Sequence, residues 1–316
     1  MREDFSFDDI DLSLIRELEA NPLISNSELG EKVYSNRNTI ARKISHLQED
    51  QILNFSVIRH VNENESDALT FFMLKCKEEK IEEICRFLIQ FKNIIQVNIV
   101  DGFWNIMFFG WFQDNAAILD FIIYKIGAFP EISSCQTLVA LTTVKANYPI
   151  LRRNKQAANK GGPTLTIDEI DLKLIEELEK SPRQNYSDLA AKLNISRHTV
   201  SKKIKYLIDN KLISIITYID PIIQGYKIKS AIFVNVRPSQ LDTIAEKLSE
   251  KQTIQNVIVC FGHYQLIVLG VFRDEAEYQS FLDVSLKKME GVNGFKGIRI
   301  LQSLKNLFQP SDSFEK

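Results

Sequence analysis

The chain aligns with itself without a gap at an offset of 160 residues, and this internal repeat limits its fold more than any other feature. Residues 8–20 lie over residues 168–180 with nine of thirteen positions identical. The register continues through Gly102 with Gly262 and Phe121 with Phe281. A period this long that occurs only twice indicates a duplicated domain pair and not a solenoid of short repeats. We call residues 1–160 half one and residues 161–316 half two, and we expect the same fold in each.

The length and composition suit a soluble globular protein with two small domains in each half. The chain has 316 residues, of which 45% are hydrophobic and 25% are charged. Its longest apolar run, around residues 103–112, is about ten residues, whereas a helix needs about 20 to cross a bilayer. The first four residues do not resemble the start of a signal peptide. These features predict a cytoplasmic protein that is not bound to a membrane.

The cysteines and the net charge exclude some functions and leave others open. The four cysteines are far apart and form no CxxC pair, which argues against a disulfide framework and a zinc site: Cys76, Cys85, Cys135 and Cys260. We expect them to be reduced core residues, and we expect no metal and no cofactor. A net charge of −2 gives no overall attraction to nucleic acid, so the distribution of the basic residues has to decide.

Each half begins with signals for three short helices. The spacing of a capping box, a hydroxyl with a carboxylate three residues later, precedes the first helix of each half: Ser6 with Asp9, and Thr166 with Glu169. Prolines 22 and 182 end that helix, and a second helix is predicted from about residues 25 and 185. A turn follows, and Asn36 and Ser196 are placed to cap a third helix.

The third helix of each half has an apolar face and a basic face. Apolar residues recur at i, i+4 and i+7: Ile40, Ile44 and Leu47 in half one, and Val200, Ile204 and Leu207 in half two. The opposite face and the cap are polar and contain no acid, and they form our candidate DNA-binding set: Asn36, Arg37, Asn38, Ala41, Arg42, Ser45, Ser196, Arg197, His198, Ser201, Lys202 and Lys205.

This face has the chemistry that recognition of the DNA major groove requires. Arginine can donate two hydrogen bonds to guanine, asparagine can pair with adenine, and serine can bind phosphate. A solvated helix face is the plain alternative, but the three-helix pattern occurs twice, which favours DNA binding. Half two is more basic here, with Lys202, Lys203 and Lys205, so we expect it to contribute more to the affinity for DNA.

The remainder of each half predicts a sheet covered by helices. Residues 52–58 and 212–219 are β-rich and could form a wing beside the third helix. From about residues 69 and 230 the order is strand, helix, strand, strand, helix, strand, which is typical of a ferredoxin-like domain. We therefore predict an α+β protein with two copies of a winged helix-turn-helix followed by a ferredoxin-like βαββαβ domain.

These motifs resemble those of the Lrp/AsnC transcription regulators. The resemblance lies in Ile-Asp-Leu at 10–12 and 170–172, Ser-Asp-Leu-Ala at 187–190, Leu-Asn-Ile-Ser-Arg-His-Thr-Val at 193–200 and the segment 218–225. It covers both halves and is stronger in half two. The resemblance implies that the third helices face DNA and that the ferredoxin-like domains pair subunits and bind a small effector.

The resemblance also implies an effector site at a turn between the middle strands of each sheet. The corresponding residues are Gly102, Trp104 and Asn105 in half one and Gly262, Tyr264 and Gln265 in half two. Relatives of this type have an acidic residue where this chain has Asn105 and Gln265. Neutral amides bind an α-ammonium group less well than a carboxylate does, so we do not expect a simple amino acid as the effector.

The repeat also predicts how the domains are arranged and how they pair. We expect helix-turn-helix domains at 1–60 and 165–221, ferredoxin-like domains at 61–150 and 222–316, and a polar, basic linker at 151–164. Tethering raises the effective concentration of one half around the other, which favours pairing within a chain. Pairing between two chains into a homo-oligomer is the alternative.

The leading hypothesis is a regulator that binds double-stranded DNA at an imperfectly two-fold site. One alternative is an enzyme, because sirohaem decarboxylases resemble this family and work as pairs of related subunits. His263 and Tyr264 are the suggestive residues for such a role, but we find no catalytic triad, phosphate loop or metal cluster and therefore assign no catalytic residues. The other alternative is an assembly partner that has lost DNA binding. The aromatic residues of the first ferredoxin-like domain fit a sheet core and interface, or a pocket for a planar ligand.

Overall fold

The chain folds into two compact units, and each unit takes one domain from each half. The structure, a computed structural model, describes residues 7–50, 52–59, 68–146, 167–210 and 212–305. One unit contains the helical segments of both halves, and the other contains the two βαββαβ segments. The linker predicted at 151–164 lies outside the described residues. Pairing between corresponding domains therefore occurs within one chain.

The helical unit contains three helices and one strand from each half, as the following bounds show. Half one supplies α1 (Asp9–Ala20), α2 (Asn26–Lys32), α3 (Arg37–Glu49) and β1 (Leu53–Arg59). Half two supplies α6 (Glu169–Lys180), α7 (Tyr186–Leu193), α8 (Arg197–Asp209) and β6 (Ile213–Ile219). The predicted three-helix order is confirmed in both halves.

The first helix of each half begins with a capping box, but not the predicted one. Asp8 and Asp168 are the N-caps, and their side chains accept from the backbone N–H of Asp11 and Asp171, each at 2.8 Å. The Asp11 and Asp171 carboxylates accept in return from the N-cap N–H groups. A carboxylate at the N-cap satisfies a free N–H of the first turn and also interacts favourably with the helix dipole. The predicted boxes that began at Ser6 and Thr166 are therefore corrected by two residues.

The strands after the third helices pair with each other and do not fold back as wings. β1 and β6 form a two-stranded antiparallel sheet in which Leu53 lies opposite Ile219 and Phe55 opposite Thr217. Leu53 and Val57 point to the same side of β1, and along that side the strand runs from the core of its own half to the core of the other half. Val57 of half one packs among α6, α7 and α8, while Ile219 of half two packs among α1, α2 and α3. In place of two wings, the strands form one sheet that contributes to both cores.

Eight strands and their covering helices make up the described part of the second unit. Half one supplies β2 (Ala68–Cys76), α4 (Ile81–Ile89), β3 (Ile94–Val100), β4 (Ile106–Phe112), α5 (Asn115–Asp120), which continues as a π-helical segment at Phe121–Ile126, and β5 (Ile132–Ala146). Half two supplies β7 (Ile228–Val236), α9 (Leu241–Ser249), β8 (Ile254–Phe261), β9 (Leu266–Phe272), α10 (Glu275–Ser280), with a π-helical segment at Phe281–Leu286, and β10 (Val292–Lys305).

The two four-stranded sheets close into one barrel. The strand order is β10-β3-β4-β2-β5-β8-β9-β7, so β5–β8 and β10–β3 join the halves along two seams. β5 has 15 residues and β10 has 14, whereas β2, β3 and β4 have nine, seven and seven. Their extra residues pair across the seams, for example Ala146 with Asn256 and Lys305 with Val97. A hydrophobic pattern within one half does not show this non-local pairing.

Aromatic side chains fill the barrel and the spaces under its helices. Phe71, Phe109 and Trp104 belong to the core between the two sheets, where Trp104 meets Phe233 at a centroid distance of 5.4 Å. Phe72 belongs to the separate core beneath the helices of half one. This arrangement corresponds to the core-and-interface interpretation of the aromatic residues. Of the helices that are described, none is long and apolar enough to cross a membrane.

Candidate functional site

The third helix of each half begins at a side-chain cap that fixes its direction. Asn36 Oδ1 accepts from Thr39 N at 2.9 Å, and Ser196 Oγ accepts from Thr199 N at 3.0 Å. The two predicted N-caps are therefore confirmed. Because these side chains already accept from their own helix, their role in the described structure is to set where the third helix begins.

The basic face of each third helix points into solvent, opposite a buried apolar face. Ile40, Ile44 and Leu47, with their counterparts Val200, Ile204 and Leu207, are all buried. The predicted DNA-binding residues after the caps are exposed, except for the half-buried Ala41: Arg37, Asn38, Arg42, Ser45, Arg197, His198, Ser201, Lys202 and Lys205. The geometry leaves these polar groups available to a ligand as large as a DNA duplex.

One lysine in each third helix has a different role. Lys43 Nζ binds Asp8 and Asp11 at 2.7 and 2.8 Å, and Lys203 Nζ makes the equivalent bonds to Asp168 and Asp171 at 2.7 and 2.9 Å. These pairs tie the third helix to the start of the first helix. Lys203, named above among the basic residues of the half-two helix, is therefore a structural residue and not a free cation. The repeated spacing of 35 residues between Asp8 and Lys43, and between Asp168 and Lys203, is the signal that could have identified the pairs.

The two helix-turn-helix domains border a common polar groove of about 570 Å³. Arg37 and Arg197, the first residues of the two third helices, both line it. The starts of the second helices also line it, with Asn26 and Ser27 on one side and Ser187 on the other. Hydroxyl, amide and guanidinium groups are donors that suit phosphate oxygens. The second-helix residues are not among those predicted from the sequence, because their closeness arises only when the two halves pair.

The two turns of the predicted effector site are held by glycine and by side-chain amides. Gly102 has φ +98° and Gly262 has φ +144°, in the region that favours glycine. Asn105 is buried and binds both backbone groups of Cys76, with Nδ2 donating to O at 2.6 Å and Oδ1 accepting from N at 3.0 Å. Gln265 Oε1 accepts from Val236 N at 3.0 Å. These amides stabilise the ends of neighbouring strands, so their oxygens are already bonded within the fold.

The surroundings of the half-one turn are aromatic and cationic. Trp104 is buried, whereas the side chain of Phe103 is exposed. Lys296 Nζ of half two lies 4.5 Å from the Trp104 ring centre and 4.2 Å from that of Phe103. Tyr264 of the other turn is half-buried and packs against Phe233. Burial raises the pKa of Tyr264, so the phenol stays protonated near neutral pH.

The residues named for an enzymatic role lie at the surface of the second turn. His263 is exposed and contacts Tyr264 with a ring centre distance of 4.7 Å. No group of three or more His, Cys, Asp or Glu residues suited to a metal ion occurs among the residues that the structure describes. Three of the four cysteines are buried and Cys135 is half-buried, in agreement with the core prediction.

Comparison with known proteins gives the same domain order. A family described as the AsnC-type helix-turn-helix domain matches residues 7–48 and 167–208, and the Lrp/AsnC ligand binding domain matches residues 69–150 and 230–309. An HTH-type transcriptional regulator of Pyrococcus furiosus is 29% identical over 140 residues, which are 44% of this chain and 94% of that protein. The regulator LrpA of Pyrococcus horikoshii is 30% identical over 140 residues, 44% of this chain and 99% of that protein.

One solved structure resembles the chain over nearly its whole length. The siroheme decarboxylase NirDL, in complex with an iron-uroporphyrin III analogue, has a TM-score of 0.64 and covers 95% of this chain and 93% of its own. The sequence identity is 12%, so this similarity shows a shared fold.

Proposed function

The chain belongs to the Lrp/AsnC family, and from this premise we propose that it is a DNA-binding transcription regulator in which a single chain supplies both recognition helices. The observation that supports this proposal is the β1–β6 pair, which joins two domains that each expose a basic third helix. Homodimeric helix-turn-helix proteins bring two such helices to DNA by pairing two chains. A cytoplasmic location is part of the same proposal.

The two recognition helices differ in their exposed positive charge, and we propose that half two binds DNA more strongly. After Lys43 and Lys203 are assigned to intramolecular ion pairs, half two still exposes Arg197, Lys202 and Lys205. The unlike faces favour an imperfectly two-fold site. Phosphate contacts release counterions, so the affinity should fall steeply as the salt concentration rises.

The test compares two double substitutions that each remove two positive charges. DNA fragments recovered with the purified protein provide the ligand for fluorescence anisotropy at several salt concentrations. We expect Arg197→Ala with Lys202→Ala to weaken binding more than Arg37→Ala with Arg42→Ala, since each contact to DNA is worth about 1–3 kcal/mol. Each lost phosphate contact should also reduce the salt slope by about 1.

A matched control removes two charges from the exposed surface of α6, at Lys173 and Lys180, and should leave the affinity near that of the wild type. Equal losses for the two recognition-helix variants would contradict the proposed asymmetry. DNA binding that is undetectable or independent of salt would contradict the regulator function itself.

We propose that the turns at Gly102 and Gly262 bind the effector, and that the effector lacks a free α-amino group. The Asn105 and Gln265 amide oxygens each accept from a backbone N–H, and neither carries the negative charge that favours an ammonium group. Trp104 and Lys296 present an aromatic and cationic surface in their place. This combination suits a planar or anionic small molecule.

The fold shared with the siroheme decarboxylase supports a second candidate function, that of a tetrapyrrole enzyme. A regulator with no tetrapyrrole site should show no change in the absorption spectrum when an iron porphyrin is added to the purified protein. A saturable shift that depends on His263 would support the enzyme in place of the regulator. A chain that binds neither DNA nor porphyrin would correspond to the assembly partner.

A further inference from the structure

The two seams of the barrel occupy equivalent positions but differ in chemistry. With the 160-residue offset, the β10–β3 seam corresponds to the β5–β8 seam, since Ile300 lies opposite Val100 and Ala140 lies opposite Cys260. A pair formed from two copies of the same half would make two identical seams. The unlike residues at equivalent positions therefore show which pairing the sequence favours.

The β10–β3 seam contains a charged pair. Arg299 donates from its backbone N to Asp101 Oδ1 at 2.7 Å, and its guanidinium also binds Asp101. Glu275 accepts from the same guanidinium at 3.2 Å. The carboxylate of half one is thus matched to a cation of half two.

The β5–β8 seam contains an apolar pair at the same two positions. Val139 corresponds to Arg299, Phe261 corresponds to Asp101, and these two residues lie opposite each other. Each seam is therefore matched, charge with charge and apolar with apolar. Two copies of half one would place Asp101 opposite Val139 at both seams, and two copies of half two would place Arg299 opposite Phe261.

A second position in the seams repeats this distinction. Ser303 Oγ binds the buried Asn98 Oδ1 at 2.8 Å across the β10–β3 seam. The equivalent pair across the other seam is Thr143 with Ile258. A pair of two half-two domains would place the Ser303 hydroxyl opposite Ile258, where no side-chain acceptor is available.

The helical unit contains an independent element of the same kind. Arg183 of half two donates to the backbone oxygens of Pro22 and Ile24, at 3.0 and 2.8 Å, and to Asn26 Oδ1 at 2.9 Å. Its guanidinium lies 4.8 Å from the centre of the Phe55 ring. The half-one counterpart of this arginine is Leu23, which packs against the half-two core.

Two of the groups that Arg183 binds are backbone oxygens, which half two also has at the equivalent turn, but its two side-chain partners, Asn26 and Phe55, exist in half one alone. The counterparts of Asn26 and Phe55 are Tyr186 and Ile215, which offer neither a side-chain carbonyl nor the same ring at that position. Leu23 and Arg183 occupy equivalent positions, and each contacts the other half. In a pair of two half-two domains an arginine would occupy both positions, which would bring two guanidinium groups together. Like charges in a partly buried site repel each other strongly.

We propose that the interface between the halves is built for unlike pairing, so that each half takes its complement as a partner and rejects a second copy of itself. The chain therefore specifies its own internal pairing and does not mix with homodimeric relatives through these surfaces. The proposal is independent of what the recognition helices bind.

Residue swaps that preserve composition test this proposal in the full chain. Exchanging the β5 and β10 residues (Val139→Arg with Arg299→Val) mismatches both seams within a chain and matches the seams of like halves. Exchanging the β3 and β8 residues (Asp101→Phe with Phe261→Asp) does the same. The quadruple variant, with both exchanges, restores a charged pair and an apolar pair between unlike halves.

Thermal denaturation measures the stability of each variant, and affinity capture of differently tagged copies measures pairing between chains. We expect the melting temperature of each double variant to lie about 2–4 °C below that of the wild type for each mismatched seam. The shift is small because these pairs are partly exposed. The quadruple variant should recover most of the loss. Co-expressed copies with different tags should be captured together more often for the double variants than for the wild type and the quadruple variant. Additive losses in the quadruple variant, or capture that does not change across the set, would overturn the proposal.

Discussion

At the scale of single residues, chemically similar side chains in the same helix have different roles. Lys202 and Lys203 are adjacent in α8, yet the first is exposed and the second is bound to two aspartates of the first helix. The helical rotation of 100° per residue separates a solvent-facing position from a structural one. A count of basic residues cannot make this distinction, because it depends on which carboxylates lie nearby in the fold.

The two lysines should therefore respond oppositely to alanine substitution. Lys203→Ala removes the partner of the buried Asp171, so we expect a loss of roughly 1–3 kcal/mol in stability and a small change in intrinsic DNA affinity. Lys202→Ala should weaken DNA binding and leave the stability nearly unchanged. Chemical denaturation and anisotropy on the same samples measure both effects. A stability loss at Lys202 equal to that at Lys203 would show that the assignment is wrong.

The same ion pairs should make stability depend on acid pH. The bond from Lys203 holds the pKa of Asp168 below its ordinary value of 3.8, and Lys43 has the same effect on Asp8. A carboxyl with a lowered pKa stabilises the fold above its unfolded pKa, and this contribution is lost as the pH falls through the lowered value.

We therefore expect the difference in melting temperature between wild type and Lys203→Ala to be full at about pH 6 and to shrink below about pH 4. Thermal denaturation over this range measures it. A difference that stays constant down to about pH 2 would show that the charge on Asp168 does not contribute.

At the scale of elements, the paired strands β1 and β6 make each helix-turn-helix core depend on the other half. Val57 is 4% exposed in the core of half two, and Ile219 is 5% exposed in the core of half one. Thr217 Oγ1 also donates to Leu18 O at the end of α1. Local periodicity predicted these segments as strands but could not show which core they enter.

Alanine at either strand position should weaken the core of the opposite half. We expect Val57→Ala to cost roughly 1–3 kcal/mol and to increase hydrogen exchange more in α6–α8 than in α1–α3. Ile219→Ala should give the reverse pattern, so each variant is the control for the other. Faster hydrogen exchange confined to the half that contains the substitution would contradict this packing of each strand in the opposite core.

At the scale of the whole molecule, corresponding domains of the two halves form the compact units. The 160-residue repeat predicted two related halves, and the closed barrel and the β1–β6 pair show that these halves are paired within one chain. The unlike seams then distinguish this pairing from that of two identical copies. Duplication has allowed positions such as Asp101 and Phe261 to diverge independently.

Several features can be read directly from the amino-acid sequence: the repeat, the helix order, the N-caps at Asn36 and Ser196, the βαββαβ order and the basic faces of the third helices. They depend on spacing and on side-chain chemistry, which the sequence displays directly. Other features are visible in the folded chain alone: β1 pairs with β6, Lys43 and Lys203 form ion pairs, Asn105 binds the Cys76 backbone, and Arg183 binds backbone oxygens of half one. These contacts join residues that are distant in sequence, and chain folding alone brings them together.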